Sequence, residues 1–96
     1  MDEVADSVLL AVATVPQGRV TTYGTIAGIV GRGPRLVARV LATRGDRVCW
    51  WRVVRADGSI APHLVAAATE LLEGEGVAVR NGRVDLRRYG PIGGER

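Results

Sequence analysis

Residues 22–43 have the sequence TYGTIAGIVGRGPRLVARVLAT. Thr22 is a residue type that caps helices, and apolar side chains at helical spacing follow it as far as Val30. Residues 31–33 (Gly-Arg-Gly) predict a tight turn, and Pro34 suits the first position of a second helix that continues to the end of the stretch. Two short helices joined by a glycine-containing turn predict a helix-turn-helix.

The second of these helices has two faces of different character. Its apolar positions recur at helical spacing and comprise Leu36, Val37, Val40 and Leu41. The opposite face comprises Arg35, Ala38, Arg39 and Ala42. Small side chains let a helix approach a surface closely and arginines supply positive charge, so this face is typical of a recognition helix in a DNA groove. An ordinary solvated face with two arginines explains the same pattern equally well.

Upstream and downstream of the helix-turn-helix, further elements are predicted. Residues 2–14 predict a helix that ends before Pro16. Its inward face comprises Val4, Val8, Leu9 and Val12. Residues 48–54 form an apolar run with β-branched and aromatic members, which predicts a strand or an extended buried segment. A turn at residues 55–58 follows, and Ser59 with Ile60 begins a predicted return strand.

The C-terminal third predicts a helix and a hairpin. The helix extends from Pro62 to about Gly74, with an inward face comprising Leu64, Val65, Ala68, Leu71 and Leu72. Residues 77–86 predict a hairpin, because Asn81-Gly82 is the strongest short hairpin signal. The predicted fold is mainly α with a small β-hairpin, a winged helix-turn-helix. Residues 1–89 form one predicted domain, and residues 90–96 form a predicted flexible tail.

Composition limits the partners and the compartment. The chain has 96 residues and a formal charge of +3, and its 13 basic residues are all arginines. This balance permits a polyanionic partner, although a genome rich in G and C explains the arginine usage as readily. The single Cys49 excludes an internal disulfide and a multi-cysteine metal site, so no metal or cofactor is predicted. Without a signal peptide or a long apolar run, a soluble cytoplasmic protein with no membrane contact is predicted.

Three segments carry a family resemblance. They are residues 18–24 (GRVTTYG), residues 35–41 (RLVARVL) and residues 50–58 (WWRVVRADG). In order and approximate spacing they resemble the catalytic, DNA-binding C-terminal domain of the O6-alkylguanine-DNA alkyltransferases. The resemblance covers roughly residues 4–89 and implies the winged helix-turn-helix of that domain.

The family's active-site signature, Pro-Cys-His-Arg-Val, is altered here. The arginine and valines that follow fix the register, so Cys49 takes the place of the proline, Trp50 that of the reactive cysteine and Trp51 that of the activating histidine. Alkyl transfer needs a thiolate, which a His-water-Glu relay generates, and an indole offers no comparable nucleophile. Glu75 matches the relay carboxylate, but without the histidine we expect it to have nothing to orient. The resemblance therefore implies that the chain is not an enzyme.

This substitution is similar to that of the alkyltransferase-like proteins, in which Trp commonly replaces the reactive Cys. That resemblance implies a monomer that binds O6-alkylguanine in double-stranded DNA without removing the alkyl group, and that presents the lesion to nucleotide excision repair proteins. The signature of those proteins usually keeps the proline and often the histidine, so Cys49 and Trp51 are departures from it.

The resemblance also implies DNA contacts on the helix-turn-helix. Arg35 matches the arginine finger that enters the base stack from the minor groove and replaces a flipped nucleotide. This alignment needs a deletion of about two residues near residues 31–33, so Arg32 is the alternative finger. Tyr23 matches a residue beside the phosphate of the flipped nucleotide. Further implied DNA contacts are Thr22, Pro34, Ala38 and Arg39.

The implied lesion pocket draws on the altered signature and the loop after it. Trp50 forms a wall, and Val53 and Val54 form the floor and its support. Ser59 and His63 belong to the binding loop, although a lone histidine at the start of a helix is as readily a surface residue. Trp51 is interpreted first as a core residue and second as pocket lining.

Two other functions are compatible with the sequence. One is a winged-helix DNA-binding protein with no preference for lesions. The other is a residual enzyme that uses Cys49 with His63, which requires the signature to slip by one position.

Overall fold

The computed structural model describes residues 3–91. Its α-helices are α1 (Glu3–Ala13), α2 (Tyr23–Val30), α3 (Pro34–Arg44), α4 (Val65–Gly74) and α5 (Leu86–Tyr89). Its strands are β1 (Thr21–Thr22), β2 (Val53–Val54), β3 (Val79–Arg80) and β4 (Arg83–Val84). Short 3-10 helices span Gly45–Arg47, Trp50–Arg52 and Pro62–Leu64.

The predicted helix-turn-helix is confirmed as α2 and α3. Thr22 Oγ1 accepts a 3.0 Å hydrogen bond from the Thr25 backbone N–H and thereby caps α2. Gly31 ends α2 in the left-handed region, with a φ of 73°, where a side chain would be strained. Pro34 then begins α3 at the predicted residue. Local capping signals thus fix the turn that sets the angle between the two helices.

Two clusters of buried side chains hold the molecule together. The first lies among α1, α2 and α3 and includes Val8, Val12, Ile26 and Val37. The second includes Val20, Leu72, Val77, Val84 and Tyr89. Strands β1 and β2 pair in parallel between them, and their neighbouring residues Val53 and Val54 belong to the first and second cluster respectively.

The C-terminal wing is confirmed as an antiparallel hairpin. Val79 pairs with Val84 across β3 and β4, and the connecting Asn81 and Gly82 have φ angles of 53° and 70°. Two positive φ values are those of a type I′ turn, as the Asn-Gly pair predicted. The winged-helix fold is therefore confirmed, although its strands are shorter than the predicted hairpin over residues 77–86.

The predicted strand over residues 48–54 is wrong for most of its length. Only Val53–Val54 forms a strand, and Trp50–Arg52 forms a 3-10 turn, called here the Trp50 turn. No neighbouring strand pairs with the first part of this stretch within residues 3–91. The predicted return strand is also wrong, because Ser59 forms an isolated bridge with Arg83 of the wing.

Smaller corrections concern α1 and α4. In α1 the inward residue is Ala5, whereas Val4 is only partly buried. The predicted C-terminal helix begins as the Pro62–Leu64 3-10 turn, and Leu71 is 40% exposed while Leu72 is fully buried. Residue 2 of the first predicted helix and residues 92–96 of the predicted tail lie outside the described residues.

Across residues 3–91, none of the helices has the length and apolar content needed to cross a bilayer.

Candidate nucleic-acid interface

The outer face of α3 is open to solvent. Burial of Val37 and Val40 on the inner side of the helix turns its opposite side outward. The side chains that are exposed as a result are Arg35, Ala38, Arg39 and Ala42. This face combines two cations with two very small side chains.

An open groove of about 880 Å³ lies against this face and is called here the recognition groove. From α2 and α3 it is lined by Tyr23, Gly24, Pro34, Arg35, Ala38, Arg39, Leu41 and Ala42. From the segments that follow it is lined by Gly45, Asp46, Trp50, Arg55, Ala56, Ala61, His63 and Leu64. Its volume is within the range of cavities that hold small molecules, and a nucleobase fits inside it.

Trp50 lies in this groove because of the Trp50 turn. The backbone of Gly45 approaches it so closely that a Cβ on that glycine would lie 3.4 Å from the Trp50 Cβ. The Trp51 ring meets the Trp50 ring edge to face, with centroids 5.9 Å apart and planes at 89°. Gly45 thus packs against the Trp50 Cβ, and the Trp51 ring packs against the half-buried Trp50 indole.

Tyr23, the first residue of α2, lines the groove. Burial raises the pKa of its phenol, and the positive charge of Arg55 opposes part of that rise. The phenol therefore stays protonated at neutral pH and can donate a hydrogen bond to an anion such as a phosphate.

Glu75 has several partners, and our expectation that it would have nothing to orient is wrong. Its Oε2 accepts a 2.8 Å hydrogen bond from Trp51 Nε1–H and a 2.6 Å one from the Arg52 guanidinium. Its Oε1 accepts from the Gly18 backbone N–H at 3.0 Å. The indole N–H of Trp51 is therefore one of the donors that hold this carboxylate in place.

These contacts keep Glu75 ionised. Burial raises the pKa of its carboxyl, but hydrogen bonds from Arg52, Gly18 and Trp51 outweigh that effect and hold the pKa below its ordinary value. Arg52 also donates a 2.8 Å hydrogen bond from Nη1 to the Val15 carbonyl. Donors from Gly18, Trp51 and Arg52 therefore hold this carboxylate in place.

The structure places several of the expected pocket residues away from the recognition groove. Trp51 packs against the second cluster, Val53 and Val54 are buried in β2, and Ser59 donates two hydrogen bonds to Asp57. None of these four belongs to the groove lining in the described part of the chain. His63 does line it and is exposed.

Among the expected DNA contacts, Thr22 and Arg32 also lie outside the groove lining. Thr22 is only 6% exposed, since its side chain caps α2. Arg32 is exposed in the turn between the helices. Sequence reasoning missed Arg55 as a lining residue, and a signal was available because it is the first basic residue after the tryptophan-valine run.

Cys49 is directed away from the groove. Its Sγ donates a 3.4 Å hydrogen bond to the Val12 carbonyl of α1, and it packs against the first cluster. No grouping of metal-ligating side chains occurs within residues 3–91. The residues that line the groove include aromatic and cationic side chains.

Comparison with known proteins agrees with this geometry. Residues 3–77 match the family model of the 6-O-methylguanine DNA methyltransferase, DNA binding domain. The chain is 42% identical to the DNA base-flipping protein of Escherichia coli over 81% of its own length, and it spans only 66% of that relative. It is 30% identical to the DNA base-flipping protein of Vibrio parahaemolyticus, over 93% of this chain and 96% of the relative.

A solved structure is similar over nearly the whole chain. It is that of S. pombe Atl1 in complex with damaged DNA containing O6-carboxymethylguanine. The TM-score is 0.84 and the sequence identity is 30%, over 94% of this chain and 95% of that one.

Proposed function

We infer the function of this chain from its family: it belongs to the 6-O-methylguanine DNA methyltransferase DNA-binding-domain family and is an alkyltransferase-like member of it. We propose that it binds double-stranded DNA containing O6-alkylguanine, flips the modified nucleotide and leaves the alkyl group in place. The observation that carries the proposal is the recognition groove, in which the outer face of α3 and the Trp50 indole line one cavity.

The groove has the parts that nucleotide flipping requires. The exposed face of α3 approaches the minor groove through Ala38 and Ala42, and its arginines neutralise phosphates. Trp50 offers an indole on which an extruded base can stack, an interaction worth about 1–3 kcal/mol per base. Extruding a base costs a few kcal/mol and less for a poorly paired one, which favours an alkylated guanine.

Arg35 is the proposed finger. It is exposed at the second position of α3 and lines the groove, whereas the alternative, Arg32, lies outside the lining. Tyr23 is proposed to contact the phosphate of the flipped nucleotide, because its protonated hydroxyl belongs to the same lining. Arg39, one turn after the finger, is proposed to contact the backbone of the duplex.

Retention of the alkyl group is proposed from the altered signature. Trp50 takes the position of the reactive cysteine, and its indole offers no nucleophile. The carboxylate of Glu75 is already bound by Trp51 and Arg52 and cannot serve a relay. A residual enzyme that uses Cys49 with His63 has no geometric support, since Cys49 bonds to α1 while His63 lines the groove.

The resemblance to alkyltransferase-like proteins extends the proposal to a partner. We propose that the complex on DNA marks the lesion for nucleotide excision repair proteins. Incision of an O6-methylguanine duplex by an excision nuclease should then increase when this protein is added. Unchanged incision would remove this part of the proposal and leave lesion binding intact.

The central test compares two short duplexes that are identical except for one O6-methylguanine, at one stated salt concentration. We expect tighter binding to the modified duplex, with the methyl group still present afterwards by mass spectrometry. Equal affinities would support instead a winged-helix protein without lesion preference. Loss of the methyl group with a matching mass gain on the protein would show that it is an enzyme.

A further inference from the structure

A second cavity, called here the wing cleft, adjoins the recognition groove. It has a volume of about 620 Å³, and the arginines that line it are Arg80, Arg83, Arg87 and Arg88. Ala56, in the turn after β2, lines both cavities. The two cavities therefore meet at the turn after β2.

The two acidic residues of the cleft, Asp57 and Asp85, accept hydrogen bonds from neighbouring residues of the chain. Asp57 accepts hydrogen bonds from the Ser59 N–H and hydroxyl at 2.9 and 2.7 Å, and Asp85 accepts from the Arg87 N–H at 3.0 Å to cap α5. The contact between Arg83 and Asp57 is 3.4 Å long and more than half exposed on both sides, so it neutralises little charge.

The other arginines of the cleft keep their charge available. Within residues 3–91, neither Arg80 nor Arg87 forms an ion pair, and Arg88 lies over the Tyr89 ring at 5.2 Å. Four arginines and two aspartates line the cleft, which gives it a local excess of two positive charges.

The wing holds these arginines on an ordered scaffold. Tyr89 is buried, its hydroxyl accepts a hydrogen bond from the Ala78 N–H at 3.2 Å, and its carbonyl accepts from the Val20 N–H at 2.9 Å. The bridge between Ser59 and Arg83 ties the hairpin to the loop beside the groove. These contacts therefore fix the backbone that carries the arginines.

We propose that the wing cleft binds the phosphate backbone of the duplex beside the recognition groove and lengthens the footprint of the protein on DNA. The proposal rests on the proposed function, in which the groove faces DNA. A duplex carries one negative charge for about every 1.7 Å of its axis, so a basic surface continuous with a docked groove meets phosphates. Guanidinium forks suit phosphate oxygens, and an acidic protein surface is the alternative partner.

The test is a salt titration of binding by Arg80→Gln and Arg87→Gln on both the modified and the unmodified duplex. Each variant should reduce the slope of log K against log salt by about 0.9, equally on the two duplexes. Arg87→Lys should retain the slope because it retains the charge. The matched control is Arg47→Gln, an exposed arginine that lines neither cavity.

Wing variants whose slopes equal that of Arg47→Gln would overturn the proposal and point to the acidic protein surface. The lesion function is tested separately by the same titrations. If the unaltered protein binds both duplexes equally, lesion preference fails, while a reduced slope in the wing variants still supports the wing cleft.

Discussion

The indole Nε1–H of Trp51 donates a 2.8 Å hydrogen bond to Oε2 of Glu75, which follows the last residue of α4. The same carboxylate binds Arg52 and the backbone of Gly18, and so joins the loop after α1, the Trp50 turn and the end of α4. Arg52 also stacks over the Trp51 ring at 5.5 Å. These contacts of Glu75 with Gly18, Trp51 and Arg52, called here the tether, hold the turn that carries Trp50.

Removing the indole donor should weaken this tether. We expect Trp51→Phe to lower the free energy of unfolding by about 2 kcal/mol, because hydrogen bonds to charged groups contribute about 1.5–3 kcal/mol. Urea denaturation at pH 7 measures the change. Trp50→Phe is the matched control, since it removes the same indole N–H one residue earlier, outside the tether. Equal losses in both variants would show that ring size, and not the hydrogen bond, accounts for the effect.

Acid should weaken the same tether. Hydrogen bonds hold the pKa of Glu75 below its ordinary value, so the unfolded chain takes up the proton first as pH falls. The stabilisation by the carboxylate is complete above the ordinary value of about 4.3 and is lost as pH falls through the depressed pKa. Glu75→Gln should be less stable than the unaltered protein at pH 7, and the difference should shrink toward pH 3.

Unfolding curves measured from pH 7 to pH 3 test this dependence. Glu73→Gln is the control, because Glu73 is an exposed carboxylate on the same helix. Its difference from the unaltered protein should stay small throughout. A constant deficit for Glu75→Gln across the range would mean that its charge does not govern the stability of the tether.

The elements that sequence predicts well are those whose signals are local. The Thr22 cap, Pro34 and the Asn81-Gly82 pair each act within a few residues, and each gives the predicted geometry. The outward face of α3 follows from helical periodicity alone. The side of the recognition groove that α3 lines with Arg35, Ala38, Arg39 and Ala42 is therefore foreseeable from the sequence, whereas Leu41, predicted to face inward, lines it too.

The side of the recognition groove formed after α3 depends on contacts between distant residues. An apolar run such as residues 48–54 looks like a strand, and its 3-10 turn accompanies the pairing of Arg52 with a carboxylate 23 residues away. The role of Glu75 could not be foreseen for the same reason, since a histidine was assumed to be its natural donor. Arg55 lines the groove together with residues of α3 that lie more than ten positions earlier in the chain.

The turn after β2 should depend on its glycine. Gly58 has a φ of 86°, and a Cβ there would collide with the Val84 carbonyl of the wing. Gly58→Ala should therefore lower the free energy of unfolding by about 2 kcal/mol or more. Gly28→Ala in α2 is the opposite control, because nothing lies within 4 Å of its Cβ and alanine should stabilise the helix by about 1 kcal/mol. A tolerated Gly58→Ala in thermal unfolding would contradict the packing of the wing on this turn.

Restoring the thiol alone should not restore chemistry. We expect Trp50→Cys to leave the methyl group on O6-methylguanine DNA, because Trp51 occupies the histidine position and its N–H is committed to Glu75. Intact-mass measurement after incubation with the modified duplex reports any transfer. Trp50→Ala, which has no thiol, sets the background. Stoichiometric methylation of the cysteine variant would show that the relay is not needed.

Truncating the proposed finger should affect lesion binding selectively. Arg35 lines the groove at the start of α3, where insertion into the base stack would offset part of the cost of extrusion. If it offsets about 1 kcal/mol, Arg35→Ala should weaken binding to the modified duplex about fivefold more than binding to the unmodified one. Fluorescence anisotropy with both duplexes at the same salt concentration measures the two losses.

Arg39→Ala is the matched control for this comparison. Arg39 is exposed on the same face one turn later and is expected to contact phosphate only. Its truncation should weaken binding to both duplexes by the same factor. It should also reduce the slope of log K against log salt by about 0.9, the value for one phosphate contact. If Arg35→Ala behaves like Arg39→Ala, then Arg35 neutralises the backbone, and the arginine that enters the base stack must be sought at Arg32.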